Sequence, residues 1–127
     1  MDETTIKQII EEYFDAYNKF DTERMVSLLT EDVSFKNISK GEVILEINGK
    51  KSYKHQADSA VTLFEKREMA INELIFNEDN VDVRLKFKGI LGLDVPEDHK
   101  KGDKIEMDGR TILQFRDGKI SSIEDIN

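Results

Sequence analysis

The sequence predicts an α+β domain in which three helices, on the N-terminal side of most of the strands, cover one face of an antiparallel sheet. Apolar residues at helical spacing come first, and alternating apolar and charged residues dominate the second half of the chain. An Asp-Gly pair at residues 117–118 marks a hairpin between the last two strands. Helices that precede a run of strands are typical of α+β folds. The length of 127 residues corresponds to a single domain over residues 1–127.

The helices are predicted from apolar residues that recur every three or four positions. The first apolar stripe runs from Ile6 to Tyr17, and Asp21 or Thr22 caps a short second helix. The third helix is expected over residues 50–66, with an apolar stripe that consists of Tyr53, Ala57, Ala60, Val61 and Phe64.

The strands are predicted from alternation with a period of two. From Val81 to Phe87 apolar residues alternate with charged ones, which is typical of a strand with one face in water. Further strands are expected at residues 33–37, 43–47, 69–76, 105–115 and 120–126. A polar loop is expected at residues 93–103.

Composition excludes several classes of function. The excess of 27 Asp and Glu over 19 Lys and Arg argues against binding to nucleic acid or to an anionic membrane. The chain has no cysteine, and its two histidines, His55 and His99, are far apart, so we predict neither a metal ion nor another cofactor. No apolar run approaches about 18 residues, the length needed to span a membrane. The first residues do not resemble a signal peptide, and a cytoplasmic location is expected.

Three local patterns occur in a characteristic order: residues 13–18 with 28–35, then Gly49 before the third helix, then residues 115–120 with Asp125. Together they resemble the nuclear transport factor 2-like superfamily, over almost the whole chain. Its members include SnoaL-like polyketide cyclases, ketosteroid isomerases, limonene epoxide hydrolases and non-catalytic binding domains. The resemblance implies a strongly curved antiparallel sheet that wraps the helices into a cone around an apolar cavity. It also implies a small apolar or aromatic ligand and a homodimer formed through the convex face.

By the same resemblance, the cavity lining would comprise Tyr13, Tyr17, Phe35, Asn37, Phe64, Thr111, Leu113, Ile123 and Asp125. The alternative for each aromatic residue is an ordinary place in the core, which periodic aromatics occupy first. Arg67 and Glu68, at the start of a strand, are expected to form a surface ion pair, and the alternative is that they line the mouth of the cavity.

The resemblance to ketosteroid isomerases rests on Tyr13, which matches their oxyanion-hole tyrosine. Their general base falls on Asn37, which cannot accept a proton, and their second oxyanion donor falls on Thr111. The resemblance to limonene epoxide hydrolases is poor, because one of their two carboxylates falls near Lys86 and their arginine falls on Arg84, on the polar face of its strand.

The resemblance to SnoaL-like cyclases rests on the spacing from Gly118 to Asp125, which matches their acid–base aspartate. Their partner histidine falls near Thr111 and is missing. A carboxyl group in an apolar cavity has a raised pKa, which suits proton transfer. The alternative is that Asp125 lies in water at the chain end or pairs with a base such as Arg110.

Three functions remain open at this stage. The first is an enzyme in which Asp125 moves a proton and Tyr13 donates a hydrogen bond to a developing oxyanion. The second is a non-catalytic ligand-binding domain, which the missing base and histidine favour. The third is a dimerisation scaffold whose cavity is filled by its own side chains.

Overall fold

The computed structural model describes residues 1–127 and contains three helices and one six-stranded sheet. The helices are α1 (Glu3–Asn18), α2 (Thr22–Ser27) and α3 (Lys50–Val61). The strands are β1 (Leu29–Ser39), β2 (Glu42–Asn48), β3 (Phe64–Phe76), β4 (Val81–Leu91), β5 (Lys104–Arg116) and β6 (Lys119–Ile126). None of the helices is long and apolar enough to cross a membrane.

The α1 helix is fixed at both of its ends by side chains. The Asp2 carboxylate caps its N-terminus by accepting a hydrogen bond from the Thr5 amide at 2.8 Å. At the other end, the Asn18 side-chain oxygen accepts from the Met69 amide at 2.7 Å, and its nitrogen donates to the Met69 carbonyl. The Asn18 amide therefore joins the helix to strand β3, and this contact sets how the helix lies on the sheet.

The α3 helix begins immediately after β2 because Gly49 turns the chain. Gly49 has a φ of 95°, in the region that only glycine adopts at low cost. Its amide donates to the Val33 carbonyl at 2.8 Å, and its carbonyl accepts from the Tyr53 amide at 3.0 Å. This turn brings the first turn of α3, with Tyr53, over strand β1.

The strand order is β2-β1-β6-β5-β4-β3, which confirms the predicted α+β class with one qualification. All neighbours pair antiparallel except β1 and β6, which are parallel. The last strand of the chain thus inserts between the first strand and the meander. Alternation in a sequence reports which side chains share a face and carries no information about the direction of a distant partner.

The helices cover the concave face of this curved sheet, and the main core lies between them. Shifts of register leave extra residues in β1, β2, β3 and β6, and such bulges bend the strands in which they occur. The fully buried members of the core are Ile10, Ala16, Leu29, Val33, Val83, Leu113 and Ile120.

The third helix is shorter than predicted, and this corrects the place of Phe64. The helix ends at Val61, and Phe64 is already the first residue of β3, paired with Leu91. The Gly92 amide also donates to the Leu63 carbonyl at 2.9 Å, so pairing with β4 draws this segment into the sheet. Strand pairing outweighs the helical spacing of a single aromatic residue.

A packing prediction follows from Phe64. A β-carbon added at Gly89 would lie 2.9 Å from ring atoms of both Phe64 and Phe87, whose rings pack 5.2 Å apart. We expect Gly89→Ala to lower the free energy of unfolding by about 1–3 kcal/mol, the usual cost of overpacking, in urea denaturation. Gly109→Ala is the matched control, because its nearest contact would be the Ile126 carbonyl at 3.4 Å. Equal effects of the two substitutions would contradict this account.

Candidate functional site

Three polar side chains lie side by side across the middle of the sheet. Asn37 on β1 is the register partner of Asp125 on β6, and Asp125 is the register partner of Thr111 on β5. Register partners on adjacent strands point to the same face. The next residue in this row is Leu45 on β2 at one end and Val83 on β4 at the other, so apolar side chains lie on both sides of the three polar ones.

This row separates two pockets between the sheet and the helices. The helix-side pocket, of about 210 Å³, is lined mainly by α1, α3 and β1; the sheet-side pocket, of about 190 Å³, is lined mainly by β4, β5 and the end of β6. Both pockets are lined by Tyr17, Asn37, Met69 and Asp125. The Asp125 carboxyl group is therefore reachable from either side.

Asp125 is a deeply placed carboxyl group without a cationic partner. Its Oδ1 accepts a hydrogen bond from the Thr111 hydroxyl at 2.8 Å, and it takes part in no ion pair. The residue keeps some solvent contact through the pockets although it lies deep in the molecule. Burial raises the pKa of Asp125 to about 6, and the Thr111 hydrogen bond opposes this rise.

The structure does not pair Asp125 with Arg110, which was one alternative. Arg110 instead contacts Asp82 at 3.2 Å, and Arg84 contacts the same carboxylate at 3.2 Å. Asp82 and Arg84 belong to β4, where the neighbouring Val83 belongs to the inward-facing row, so this ion-pair cluster lies on the other face of the sheet.

Two buried tyrosines complete the helix-side pocket. The hydroxyl groups of Tyr13 on α1 and Tyr53 on α3 form a hydrogen bond with each other. Burial raises the pKa of both hydroxyls, and the negative charge of Asp125 raises them further. Both tyrosines are therefore neutral hydrogen-bond donors at physiological pH. One hydroxyl donates to the other, so one hydroxyl hydrogen remains for a ligand or for Asp125.

Arg67 lies in the interior, whereas the sequence predicted a surface ion pair. The residue is 6% exposed, and its Nε donates to the Tyr17 carbonyl at 2.8 Å. The guanidinium carbon lies 3.8 Å from the centre of the Tyr17 ring and 4.5 Å from that of Phe20. Its Nη2 is buried and has no hydrogen-bond partner. The alternation of β3 turns Arg67 inward together with Met69, and a charged residue gives no sign of this in the sequence.

The predicted lining residues fall into two groups. The residues that line one or both pockets are Tyr13, Tyr17, Phe35, Asn37, Thr111 and Asp125. The other three, Phe64, Leu113 and Ile123, line neither. Leu113 and Ile123 are register partners one row deeper, with at most 1% exposure, and they belong to the closed core. Phe64 packs on Phe87 instead.

Two residues of the site were not among the lining residues predicted from the sequence. Tyr53 belongs to the predicted apolar stripe of α3, and a hydroxyl on such a stripe is a signal that could have identified it. Arg67 offered no comparable signal, because its burial depends on the rings of Tyr17 and Phe20.

Comparison with known proteins identifies the family of this chain. A model of the SnoaL-like domain matches residues 10–123, and the chain belongs to that family. No curated protein matches the chain.

Solved structures show the same fold at low sequence identity. A candidate polyketide cyclase from Xanthomonas campestris pv. campestris is 16% identical, with a TM-score of 0.83 over 98% of this chain and 90% of that one. A cystatin-fold protein of uncharacterised function from Novosphingobium aromaticivorans is 19% identical, with a TM-score of 0.74 over 94% and 96%. A protein of ketosteroid isomerase-like fold from Catenulispora acidiphila, solved in complex with trimethylamine, is 14% identical, with a TM-score of 0.74 over 92% and 82%.

The raised pKa of Asp125 predicts a specific dependence of stability on pH. The carboxyl group has its ordinary pKa of 3.8 in the unfolded chain and a pKa of about 6 in the folded one, so folding becomes less favourable as pH rises through this interval. We expect Asp125→Asn to gain stability relative to the wild type between pH 4 and pH 7.5, by up to about 3 kcal/mol in urea denaturation.

Asp32→Asn is the control, because this substitution should lower stability near neutral pH where Asp125→Asn raises it. Hydrogen bonding to Arg116 lowers the pKa of Asp32, so this carboxylate stabilises the fold above its unfolded pKa and loses that effect in acid. A stability difference between wild type and Asp125→Asn that does not change with pH would refute the burial of an ionisable Asp125.

Proposed function

We propose that this chain is an acid–base enzyme that acts on a small apolar or aromatic molecule with one polarised oxygen. Asp125 transfers the proton, and Tyr13 donates a hydrogen bond to the oxygen on which negative charge develops. The single observation that carries this proposal is the position of Asp125, an unpaired carboxyl group between two pockets.

The surroundings of Asp125 suit a proton carrier. With a pKa of about 6, the group is mostly ionised at neutral pH and can accept a proton, yet it is basic enough to hold one. A carboxylate in water has a pKa near 4 and is a weaker base. Because no cation compensates its charge, protonation by a substrate relieves the cost of burial.

The proposed step is the transfer of a proton from an acidic C–H group of the substrate to a carboxylate oxygen of Asp125. The C–H bonding electrons move towards the adjacent carbonyl, whose oxygen becomes an oxyanion. The remaining hydroxyl hydrogen of the Tyr13–Tyr53 pair is the donor available to that oxyanion. Return of the proton to another carbon of the substrate completes an isomerisation and restores the carboxylate. In a ring closure, the carbanion instead attacks a second carbonyl carbon of the substrate, and the oxygen released from that C=O bond takes the proton from Asp125.

The rival proposal is ligand binding without chemistry. It is supported by Asn37 and Thr111, which occupy the positions of the base and the partner histidine in the families that this chain resembles. In the structure both residues lie beside Asp125, and the Thr111 hydroxyl donates a hydrogen bond to the Asp125 carboxylate. The two proposals differ in one respect, which is whether the Asp125 carboxylate removes a proton from a molecule bound beside it.

The first test uses nitrobenzisoxazole, a small aromatic compound that requires only a base and a pocket. Removal of its ring C–H proton breaks the N–O bond and yields a coloured cyanonitrophenolate. We expect the wild type to catalyse this reaction, with a rate that rises with pH around a midpoint near 6. Asp125→Asn should reduce the rate at least about 100-fold, because the base is removed.

Two further variants separate the roles of the neighbours. Tyr13→Phe should slow the reaction about tenfold with an unchanged midpoint, because it removes a donor to the phenolate. Thr111→Val should move the midpoint upward, because the hydrogen bond that lowers the pKa of Asp125 is lost. Binding without turnover, or turnover that survives Asp125→Asn, would favour the non-catalytic alternative.

We also propose that the chain forms a homodimer. Apolar side chains are exposed on the edge strand β2, where Val43 is 54% and Ile44 is 61% exposed, and an unpaired sheet edge favours association. The dimer through the convex face, which the family resemblance implies, is the competing arrangement. Light scattering at micromolar protein should give twice the monomer mass of 14.7 kDa.

Ile44→Asp distinguishes the two arrangements. It should yield a monomer if the dimer forms through β2, and it should leave a convex-face dimer intact. A monomeric wild type would exclude both.

A further inference from the structure

We infer that the ligand of the helix-side pocket is an anion, whose carboxylate group binds the guanidinium of Arg67. This inference rests on the proposed function, because it takes the pocket beside Asp125 as the ligand site. It adds the chemical class of the ligand: a small carboxylic acid with an apolar or aromatic body.

Arg67 is a buried charge for which the protein provides no counter-ion. No Asp or Glu oxygen lies within ion-pair distance of its guanidinium, and its one hydrogen bond, from Nε, goes to a backbone carbonyl. Its Nη2 has neither solvent nor a hydrogen-bond partner. An uncompensated buried charge is costly, and an unmet buried donor adds to that cost. A ligand carboxylate would supply the missing charge and accept from the guanidinium.

The side chains around Arg67 orient it without neutralising it. The guanidinium carbon lies over the rings of Tyr17 and Phe20, at 3.8 and 4.5 Å from their centres. Burial lowers the pKa of Arg67, but an arginine with this starting value remains charged at neutral pH. A planar, pre-oriented guanidinium fits a carboxylate better than a lysine ammonium does.

The two charges of the pocket lie on different strands, Arg67 on β3 and Asp125 on β6, and they form no ion pair with each other. Both residues line the helix-side pocket. A ligand held by its carboxylate at Arg67 would therefore present its far end to Asp125, away from the like charge.

A groove on the other side of Arg67 favours the approach of an anion. This outer groove, of about 500 Å³, is lined by Lys66, Lys88 and Lys104 as well as Arg67. It also contains Glu68 and Glu106, of which Glu106 is paired with Lys86 at 2.8 Å. The chain as a whole has a net charge of −8, so this groove is more positively charged than the protein as a whole.

The test compares three probes of similar shape and different charge by isothermal titration calorimetry. They are naphthoate, the neutral naphthamide and the cationic naphthylmethylammonium. We expect the wild type to bind naphthoate at least about 30-fold more tightly than naphthamide, as a buried charge pair does. Equal affinities, or a preference for the cation through Asp125, would overturn the inference.

Variants at Arg67 test whether that residue causes the preference for the negatively charged ligand. Arg67→Met should abolish the preference for naphthoate and leave naphthamide binding in place, which also shows that the variant folds. Arg67→Lys keeps the charge and should retain part of the preference. Asp125→Asn is the matched control that removes the opposite charge of the pocket, and it should strengthen naphthoate binding. Retention of the full preference in Arg67→Met would refute the role of Arg67.

The position of the bound anion is checked by amide chemical shifts. Changes at Leu45 and Ala57, which line only the helix-side pocket, would support the inference. Changes confined to Ile90 and Ile105 would place the anion in the outer groove and overturn it. Turnover of nitrobenzisoxazole depends on Asp125 and not on a ligand carboxylate, so the proposed function and this inference can fail separately.

Discussion

The hydrogen bond from the Thr111 hydroxyl to the Asp125 carboxylate, 2.8 Å long, is the one polar contact that the protein offers this buried acid. It exists because β6 lies between β1 and β5, which makes Asn37 and Thr111 the two register neighbours of Asp125. One neutral donor compensates a carboxylate only in part, and burial outweighs it. The acid is therefore held where its ionisation is costly, and this property makes the pocket chemically distinct from the surrounding core.

The helices bring the remaining polar groups to the same place. The α1 and α3 helices meet at the Tyr13–Tyr53 hydrogen bond, which closes the pocket opposite the sheet. Strand β3 contributes Arg67, whose guanidinium lies against the Tyr17 ring. A negative group, neutral donors and a positive group thus surround an apolar space, each on a different element. A charged group that is buried without a partner is costly to folding, and such groups are found where a ligand or a reaction makes use of them.

Membership of the SnoaL-like family describes the scaffold and leaves the chemistry to individual side chains. The solved structures share 14–19% of their residues with this chain, and their TM-scores of 0.74 show that the fold is common to them at this low identity. Helical spacing was a good guide to α1, and alternation was a good guide to β4. Alternation did not decide the face of Asp125, because isoleucines occupy both faces of the last strand. Phe64 was assigned wrongly to α3, because one aromatic residue fits a helical stripe and a strand equally well.

By itself, the sequence determined the order of helices and strands, the turns at Gly49 and Gly118, and the inward face of β4, because these depend on neighbours within a few residues. Only the tertiary structure decided that β6 runs parallel to β1, that Tyr53 meets Tyr13, and that Arg67 is buried against the rings of Tyr17 and Phe20. These features depend on pairs of residues between 40 and 91 positions apart. Such contacts form only when the strand order is set, and no local pattern specifies that order.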